Sequence, residues 1–416
     1  MTTLVYQASQ LLCCKPTNGR FKRGNELNDI NLLEHHSIVI QNDIIADISN
    51  KFSKFDFNKF DLVINAQNST ILPGFIDPHT HLIFAGSRED EFEQITAGKT
   101  YEEIAQAGGG INRTVKATRA ATKDELKQIA NKRLKIALSF GITTMEVKSG
   151  YGLDFETEIK ILEIINELQN EQPIDLLATF LGAHTIPSEY KNNREKYVQL
   201  IIEKVLPEIS QKKLAKFCDV FLETTAFSPQ ETKEILIKAK QLGFIPKIHS
   251  NQFNSIGGID LAIELDVKSV DHLEVIDELD IKKLAQTEIV STILPGVSYF
   301  LKIPFAPARK MIDEGCIVAI GTDFNPGSCT TQNIQLVLNI ATLYNGMKLN
   351  ETINAATINS AFALGIENKV GSIEIGKQAD LQILDTSNYK NLVYYFGNSL
   401  TKTVIKKGKV IYERNN

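Results

Sequence analysis

The chain of 416 residues is predicted to be an α/β protein, a (β/α)8 barrel with a small β-sandwich built from both chain ends. Three observations predict it. Between Phe75 and Asp323, short apolar or β-branched runs alternate eight times with amphipathic helical stretches. The residues able to carry chemistry fall at the carboxyl ends of those runs, where a barrel gathers its active groups. The two flanks lack helical periodicity and share one style of short alternating runs.

Residues 1–72 come first, with runs such as Ser37–Ile40 and Leu62–Asn65. The eight barrel strands are expected at Phe75–Pro78, Ile142–Val147, Leu176–Gly182, Phe217–Leu222, Ile245–Ile248, Lys268–Asp271, Ile289–Ile293 and Ile317–Gly321. Helical patterns such as Phe155–Gln169 and Gln230–Leu242 lie between them. An open, doubly wound sheet is the rival architecture, and the position of the chemistry separates the two. In order, the strand ends carry His79 and His81, Lys148 and Tyr151, His184, Glu223, His249, His272, Pro295, and Asp323. Five of the seven histidines thus share one rim, which random placement rarely achieves. Residues 367–416 return to the β style in Gln382–Leu384 and Thr403–Ile405. Neither flank is long enough to stand alone, so 1–72 and 367–416 are expected to pair beside a catalytic barrel of 73–366.

Composition narrows the partners. The chain is 43% hydrophobic and 23% charged, with no apolar run of membrane-spanning length and no signal-peptide pattern, so a soluble protein is expected. A net charge of −5 with both signs interspersed argues against a nucleic-acid surface. The expected partner is a small molecule, with no nucleic acid and no membrane; a homodimer is left open. Five cysteines without a C-x-x-C pair point to reduced thiols and a cytoplasmic location. His35-His36 lies away from the rim and is expected to be exposed and without function. Gly108-Gly109-Gly110 lacks the following Gly-Lys-Ser/Thr of a phosphate loop, which leaves a loop over the rim or a plain connector.

The metal chemistry rests on spacing. His79 and His81 sit two apart at the end of a strand, so both rings share a face and reach one ion. With His249 and Asp323 they make a nitrogen and oxygen donor set of the kind that one divalent metal ion, zinc or iron, takes in a catalytic site. A bound water there would ionise near neutral pH and attack a carbonyl.

A His-x-His on strand one, histidines on strands five and six, and Asp on strand eight resemble the amidohydrolase superfamily of metal-dependent barrel hydrolases. Binuclear members usually carry a bridging Lys at the end of strand four; this chain has Phe221-Leu222-Glu223, which favours one metal and leaves His272 for catalysis. Glu223 as a bridge to a second ion is the alternative. Finer motifs are similar to the imidazolonepropionase family within that superfamily: Asp77-Pro78-His79-Thr80-His81, Phe84-Ala85-Gly86-Ser87-Arg88, Lys148-Ser149-Gly150-Tyr151-Gly152-Leu153, Phe180-Leu181-Gly182-Ala183-His184 and Asp323-Phe324-Asn325-Pro326-Gly327-Ser328. The resemblance implies opening of the lactam ring of 4-imidazolone-5-propanoate to N-formimidoyl-L-glutamate in histidine degradation. It assigns the metal to His79, His81, His249 and Asp323, and substrate contacts to Arg88, Tyr151, His184, Gln252, Asn325, Gly327 and Ser328.

The residues suit that chemistry. Arg88 offers a planar, permanently charged fork for a carboxylate tail. Tyr151, between two glycines, is expected to be presented by a flexible backbone, and Asn325–Ser328 forms a turn offering amide, backbone and hydroxyl contacts. His272 and Asp323 are the expected catalytic pair, His272 as proton carrier or oxyanion donor. Gln252 stands where many members have Glu; an amide cannot shuttle a proton but can bind ring nitrogens. The competing activities are a guanine or cytosine deaminase with the same metal shell, disfavoured by Gln252, and a non-catalytic barrel, disfavoured by the converging donors.

Overall fold

The computed structural model describes residues 1–99 and 109–414. Five strands precede the barrel: β1 (Thr2–Leu12), β2 (Leu32–Gln41), β3 (Ile44–Ser49), β4 (Leu62–Asn65) and β5 (Thr70–Pro73). Eight parallel strands follow in consecutive order, β6 (Phe75–Asp77), β7 (Ile142–Lys148), β8 (Asp175–Ala183), β9 (Phe217–Phe221), β10 (Ile245–Ser250), β11 (Ser269–His272), β12 (Val290–Ile293) and β13 (Ile317–Ile320). Three more close the chain, β14 (Leu381–Leu384), β15 (Thr401–Lys406) and β16 (Lys409–Glu413).

Each barrel strand lies within two residues of its expected position, because apolar runs of four to seven residues between helical patterns leave little freedom of register. The helices are set by local chemistry. Asp154 caps Phe155–Glu171 by accepting from Thr157 N, and Ser228 with Glu231 forms a capping box ahead of Pro229–Gln241.

The chain ends do combine into one small β unit. Its hydrogen bonding runs as a continuous path of seven strands, β16-β15-β14-β5-β1-β2-β3, with β4 as the eighth strand of the sheet, paired off the path with β1. β1 makes this possible: it pairs with β4 through Thr3–Tyr6 and with β5 through Gln10–Leu11, and its ladder to β2 is interrupted between Val5 and Ala8, where Gln7 has φ +51°. That bulge bends the strand so that both halves enclose one core of Val5, Leu11, Ile38, Ile71, Leu381 and Ile405. Lys406, almost fully buried, bonds Asp380 at 2.6 Å and Asp175 of β8 at 2.7 Å, tying this unit to the barrel.

The barrel closes between its first and last strands, just beyond their regular ends. Asp323 N donates to His79 O and His81 N donates to Phe324 O, both at 2.9 Å, and Thr80 bridges Phe324 in parallel register. Asp77 reinforces the seam by accepting from Thr322 N at 3.0 Å and Thr322 Oγ1 at 2.6 Å. Gly321 sits in this seam because a Cβ there would stand 2.9 Å from His79 Cβ and 3.1 Å from Leu294 Cδ2.

All five cysteines are buried and unpaired with one another. His35 is exposed in β2, and His36 is partly buried, with Nδ1 2.7 Å from Glu34 O. Gly108 lies outside the described residues; Gly110, at φ +72°, caps the helix Ile111–Ala120. Among the described residues, no helix is long and apolar enough to cross a membrane.

Gly321→Ala is expected to lower stability by about 1–3 kcal/mol, since overpacking at the seam must push two strands apart. Denaturant titration reads this directly, and a change below about 0.5 kcal/mol would mean that the seam tolerates a methyl group.

Candidate active site

The interior of the barrel is built by period two. On each strand, residues two apart turn inward, so Asp77, His79 and His81, Glu146 and Lys148, Asp219 and Phe221, Lys247 and His249, and Asp271 share the lumen. The lower layer is ionic. Lys148 Nζ stands 2.6 Å from Asp219 Oδ2 and 3.1 Å from Glu146 Oε1, and Lys247 Nζ stands 2.6 Å from Glu146 Oε2. All are fully buried. The sequence places Lys148 at the rim; its side chain instead turns down into this layer.

The upper layer holds the histidines. His79 and His249 ring centroids are 4.5 Å apart, His79 and His81 5.4 Å, and His249 and His272 5.3 Å. Asp323 Oδ1 lies 3.4 Å from His79 Nε2 and 3.2 Å from His81 Nε2. His79 Nδ1 bonds Asp271 Oδ2 at 2.7 Å, leaving Nε2 directed toward the other rings. His249 Nδ1 lies 3.0 Å from Asp219 Oδ2, close enough for charge attraction but out of hydrogen-bond alignment.

This constellation fits a cation. His79 Nε2, both His249 ring nitrogens and Asp323 Oδ1 are buried without a hydrogen-bond partner, an expensive state that a metal would relieve. Among the described residues, donor atoms within 4.8 Å of one another occur in three sets: His79, His81 and Asp323; His79, His249 and His272; and Asp219, His249 and Asp271. Burial holds His81 and, more strongly, His249 below the usual imidazole range, which keeps them neutral, the ligating form. For His79, burial and Lys148 press downward, but Asp271 and Asp323 outweigh them and raise it to about 9. The Asp323 carboxyl is desolvated, yet His79 and His81 hold it well below its ordinary value.

Two site residues carry backbone strain. His272 has φ +90° and Asp323 φ +49°, conformations that cost a non-glycine residue about 1–3 kcal/mol each. Both are over-determined by neighbours, Asp323 by the seam and His272 by Leu273 N donating to Ser250 O at 3.2 Å. His272 Nδ1 faces Glu274 Oε1 at 3.3 Å, a carboxylate placed to accept from Nδ1 and so to orient the ring.

Around this centre the rim loops are braced by carboxylates and amides. Glu223 accepts from Thr224 N, Phe253 N, Asn254 N and Asn254 Nδ2 at 2.8–3.1 Å, which locks the loop bearing Gln252. A bridging role for Glu223 is thereby displaced by a structural one. Glu158 accepts from Gly150, Gly152 and Leu153 N–H groups, so Tyr151 stands on a rigid turn and not on a flexible one. The glycines are needed for close approach: a Cβ on Gly150, at φ +106°, would come within 2.7 Å of Leu181 O. Tyr151 packs among His81, Phe84 and His184. His184 stacks on His81 at 5.2 Å and directs Nδ1 at Gly150 O, 3.0 Å away; burial, with His81 beside it, presses it down to about 3.

The Asn325 carboxamide is engaged within its own turn. Its Oδ1 accepts from Gly327 N at 2.7 Å and Ser328 N at 2.8 Å, and its Nδ2 donates to Asp323 O and Ser328 Oγ, both at 2.7 Å. Arg88 reaches this turn from the opposite side. Its Nε donates to Glu91 Oε2 at 2.6 Å, and a Cβ on Gly327 would fall 2.2 Å from Nη1, so a side chain there would displace the guanidinium from this position. A cavity of about 310 Å³ opens beside them, lined among others by Ser87, Arg88, Phe92, Phe300 and Gly327. Gln252 is buried at the rim beside Asn251, which has φ +56°.

Sequence reading missed Glu91, Asp219, Lys247, Asp271 and Glu274. The available signal was a charged residue two places before a rim histidine or aromatic inside an apolar strand, as in Lys247-Ile248-His249 and Asp219-Val220-Phe221.

Comparison with known proteins agrees with this geometry. The amidohydrolase family model matches residues 70–411. An imidazolonepropionase of Clostridium tetani is 44% identical over 415 residues, covering 99% of this chain and 98% of that protein. Another, of Alkaliphilus oremlandii, is 45% identical over 402 residues, covering 96% and 95%. Among solved structures, E. coli guanine deaminase superposes with a TM-score of 0.74 at 15% identity over 100% of both chains. Triazine hydrolase from Arthobacter aurescens gives 0.75 at 16% identity over 99% of this chain and 95% of that one. At such identities these structures speak for the fold alone. With the family model spanning the barrel and the C-terminal strands, and curated relatives at 44% and 45% identity over nearly its full length, the chain belongs to the amidohydrolase family, in the group of the imidazolonepropionases.

Proposed function

We propose that the chain hydrolyses 4-imidazolone-5-propanoate to N-formimidoyl-L-glutamate, a step of histidine degradation, with one divalent ion, zinc or iron, held by His79, His81, His249 and Asp323. The observation that carries the substrate assignment is its full-length identity of 44% and 45% to imidazolonepropionases. The partnerless buried donor atoms support the metal. A cytoplasmic location and a homodimer belong to the same reading.

When bound, the ion supplies Lewis acidity and lowers the pKa of a coordinated water. The chain does the rest. Arg88 grips the propionate through its terminal nitrogens, since Nε is held by Glu91. Tyr151, His184 and Gln252 orient the ring, with the Ser328 hydroxyl and the Gly327 backbone shaping the side nearest Arg88. The attacking water forms a bond to the ring carbonyl carbon and gives its proton to Asp323 Oδ2, the oxygen on the Ser328 side. That proton passes to the ring nitrogen by way of His272 Nε2 as the ring C–N bond breaks, so the nitrogen leaves protonated while Asp323 returns to its carboxylate and His272 to its starting state. A deaminase needs a carboxylate to bring protons to a leaving amine; Gln252 is an amide.

Loss of substrate absorbance in the ultraviolet, with guanine and cytosine as controls, tests the activity. Turnover should vanish on chelation and return with one equivalent of divalent metal per chain. Turnover of guanine or cytosine instead, or an absolute need for two equivalents, would defeat the assignment.

Arg88→Met should raise KM strongly, with a loss of about 2–4 kcal/mol in kcat/KM for a buried charge-assisted pair. Lys there should rescue only in part, because a point charge lacks the planar fork. A kcat/KM within twofold of the parent would place the carboxylate elsewhere.

His272→Ala should lower kcat by about two or more orders of magnitude, while Gln252→Ala should act mainly on KM. Gln252→Glu should stay active. The reverse pattern, with His272→Ala almost silent and Gln252→Ala collapsing kcat alone, would mean that the amide positions the attacking water.

A further inference from the structure

Two of the expected metal donors lean on carboxylates from neighbouring strands. His79 Nδ1 is 2.7 Å from Asp271 Oδ2 on β11, and His249 Nδ1 is 3.0 Å from Asp219 Oδ2 on β9. Both carboxylates converge on one ammonium. Lys148 Nζ stands 2.6 Å from Asp219 Oδ2 and 3.4 Å from Asp271 Oδ2, the oxygens that face the two histidines. Lys247 Nζ closes the ring on the other side, 2.6 Å from Glu146 Oε2 and 3.7 Å from Asp271 Oδ2. None of the five lysine and carboxylate side chains in this ring has exposed surface, so water cannot screen one member from the next.

We propose that Lys148 is a positioning residue for the metal, which through Asp219 and Asp271 sets the rings of His249 and His79 together, so that these two ligands act as one coupled unit. The inference rests on the metal site of the proposed function, and deepens it.

The physical reason is in the shared oxygens. A carboxylate hydrogen-bonded to a ligating imidazole fixes its orientation and tautomer and raises its basicity, as Asp271 would for His79, while Asp219 faces His249 Nδ1 at 3.0 Å and acts on it by charge. Here each such carboxylate oxygen is also bound to the same Lys148 ammonium, so neither Asp219 nor Asp271 can shift without disturbing the other. Burial alone would press that ammonium toward neutrality, but Asp219, Glu146 and Asp271 outweigh it and keep Lys148 charged. Independent ligands would need no common ammonium beneath them.

Cobalt(II) is the probe, loaded into the stripped full chain, with affinity read by competition against a chromophoric chelator and geometry read from the visible d–d spectrum. Asp219→Asn and Asp271→Asn keep side-chain shape, and each should weaken cobalt binding about 10–100-fold. The double variant should lose little more than the worse single one, because either change already releases the shared unit. Lys148→Met should alter the cobalt spectrum as well as the affinity, which a mere space-filling role would not do. If Lys148→Met does not fold, the two isosteric variants and their double decide the matter alone. Losses that multiply in the double variant, or a Lys148→Met protein with the parent's spectrum and affinity, would overturn the coupling while leaving the metal site standing. A parent chain that binds no cobalt would instead overturn the metal site itself, and the coupling with it.

Discussion

Closure of the barrel between β6 and β13 is the constraint on which the rest of the molecule depends. The two backbone hydrogen bonds that join these strands, from Asp323 N to His79 O and from His81 N to Phe324 O, are made by the very residues that bear the site's donors. Barrel closure and site assembly are therefore one event. The left-handed backbone at Asp323 is tolerable because both its neighbours in the chain are pinned to β6 or to Asp77. Gly321 permits the approach, since any side chain there would meet His79.

Beneath the donors, the barrel departs from the usual filling of branched apolar side chains. Five charged groups occupy the lumen with no exposed surface. Each ion carries a desolvation penalty of several kcal/mol, recovered only when its partners are close and well placed. The carboxylates of Asp219 and Asp271 meet that condition twice over, facing a lysine below and a histidine above. Replacing buried ions by apolar side chains of similar volume is often neutral or stabilising, but apolar groups could not hydrogen-bond the histidine rings as Asp271 does His79. The ionic layer is thus better understood as a device for orientation than as a source of stability.

The rim is stiffened by the same means on a smaller scale. Glu158, Glu223, Glu91 and Asn325 each accept backbone N–H groups from a loop beside the site, fixing the segments that carry Tyr151, Gln252, Gly110 and Ser328. Rigid supports of this kind reduce the ordering cost when a small substrate binds. They also explain why two residues expected to meet the substrate through flexible or free groups, Tyr151 and Asn325, have their backbone or amide already held.

Much of this was legible in the sequence. Eight apolar runs separated by helical patterns define the barrel strands to within two residues, because period and length are local properties of the chain. The rim cluster was legible too, since His79 and His249 directly follow such runs and His81 and Asp323 lie within three residues of one. What local pattern cannot carry is which interior residues meet across the lumen. Lys148 reads as a rim residue until the folded barrel sets its ammonium against Asp219 and Glu146, and Asp219, Asp271 and Lys247 read as isolated charges within apolar strands. Glu223 is a candidate ligand in the sequence and a loop brace in the fold, a choice made by residues 30 positions away at Phe253 and Asn254. The single continuous path of the terminal β unit likewise depends on a bulge at Gln7 that no composition signals. By itself the sequence determined the strands and which side chains gather at the rim, since these follow from periodicity and side-chain chemistry. Only the tertiary structure decided their partners, because contacts between charges on strands distant in the chain exist only once the barrel has closed.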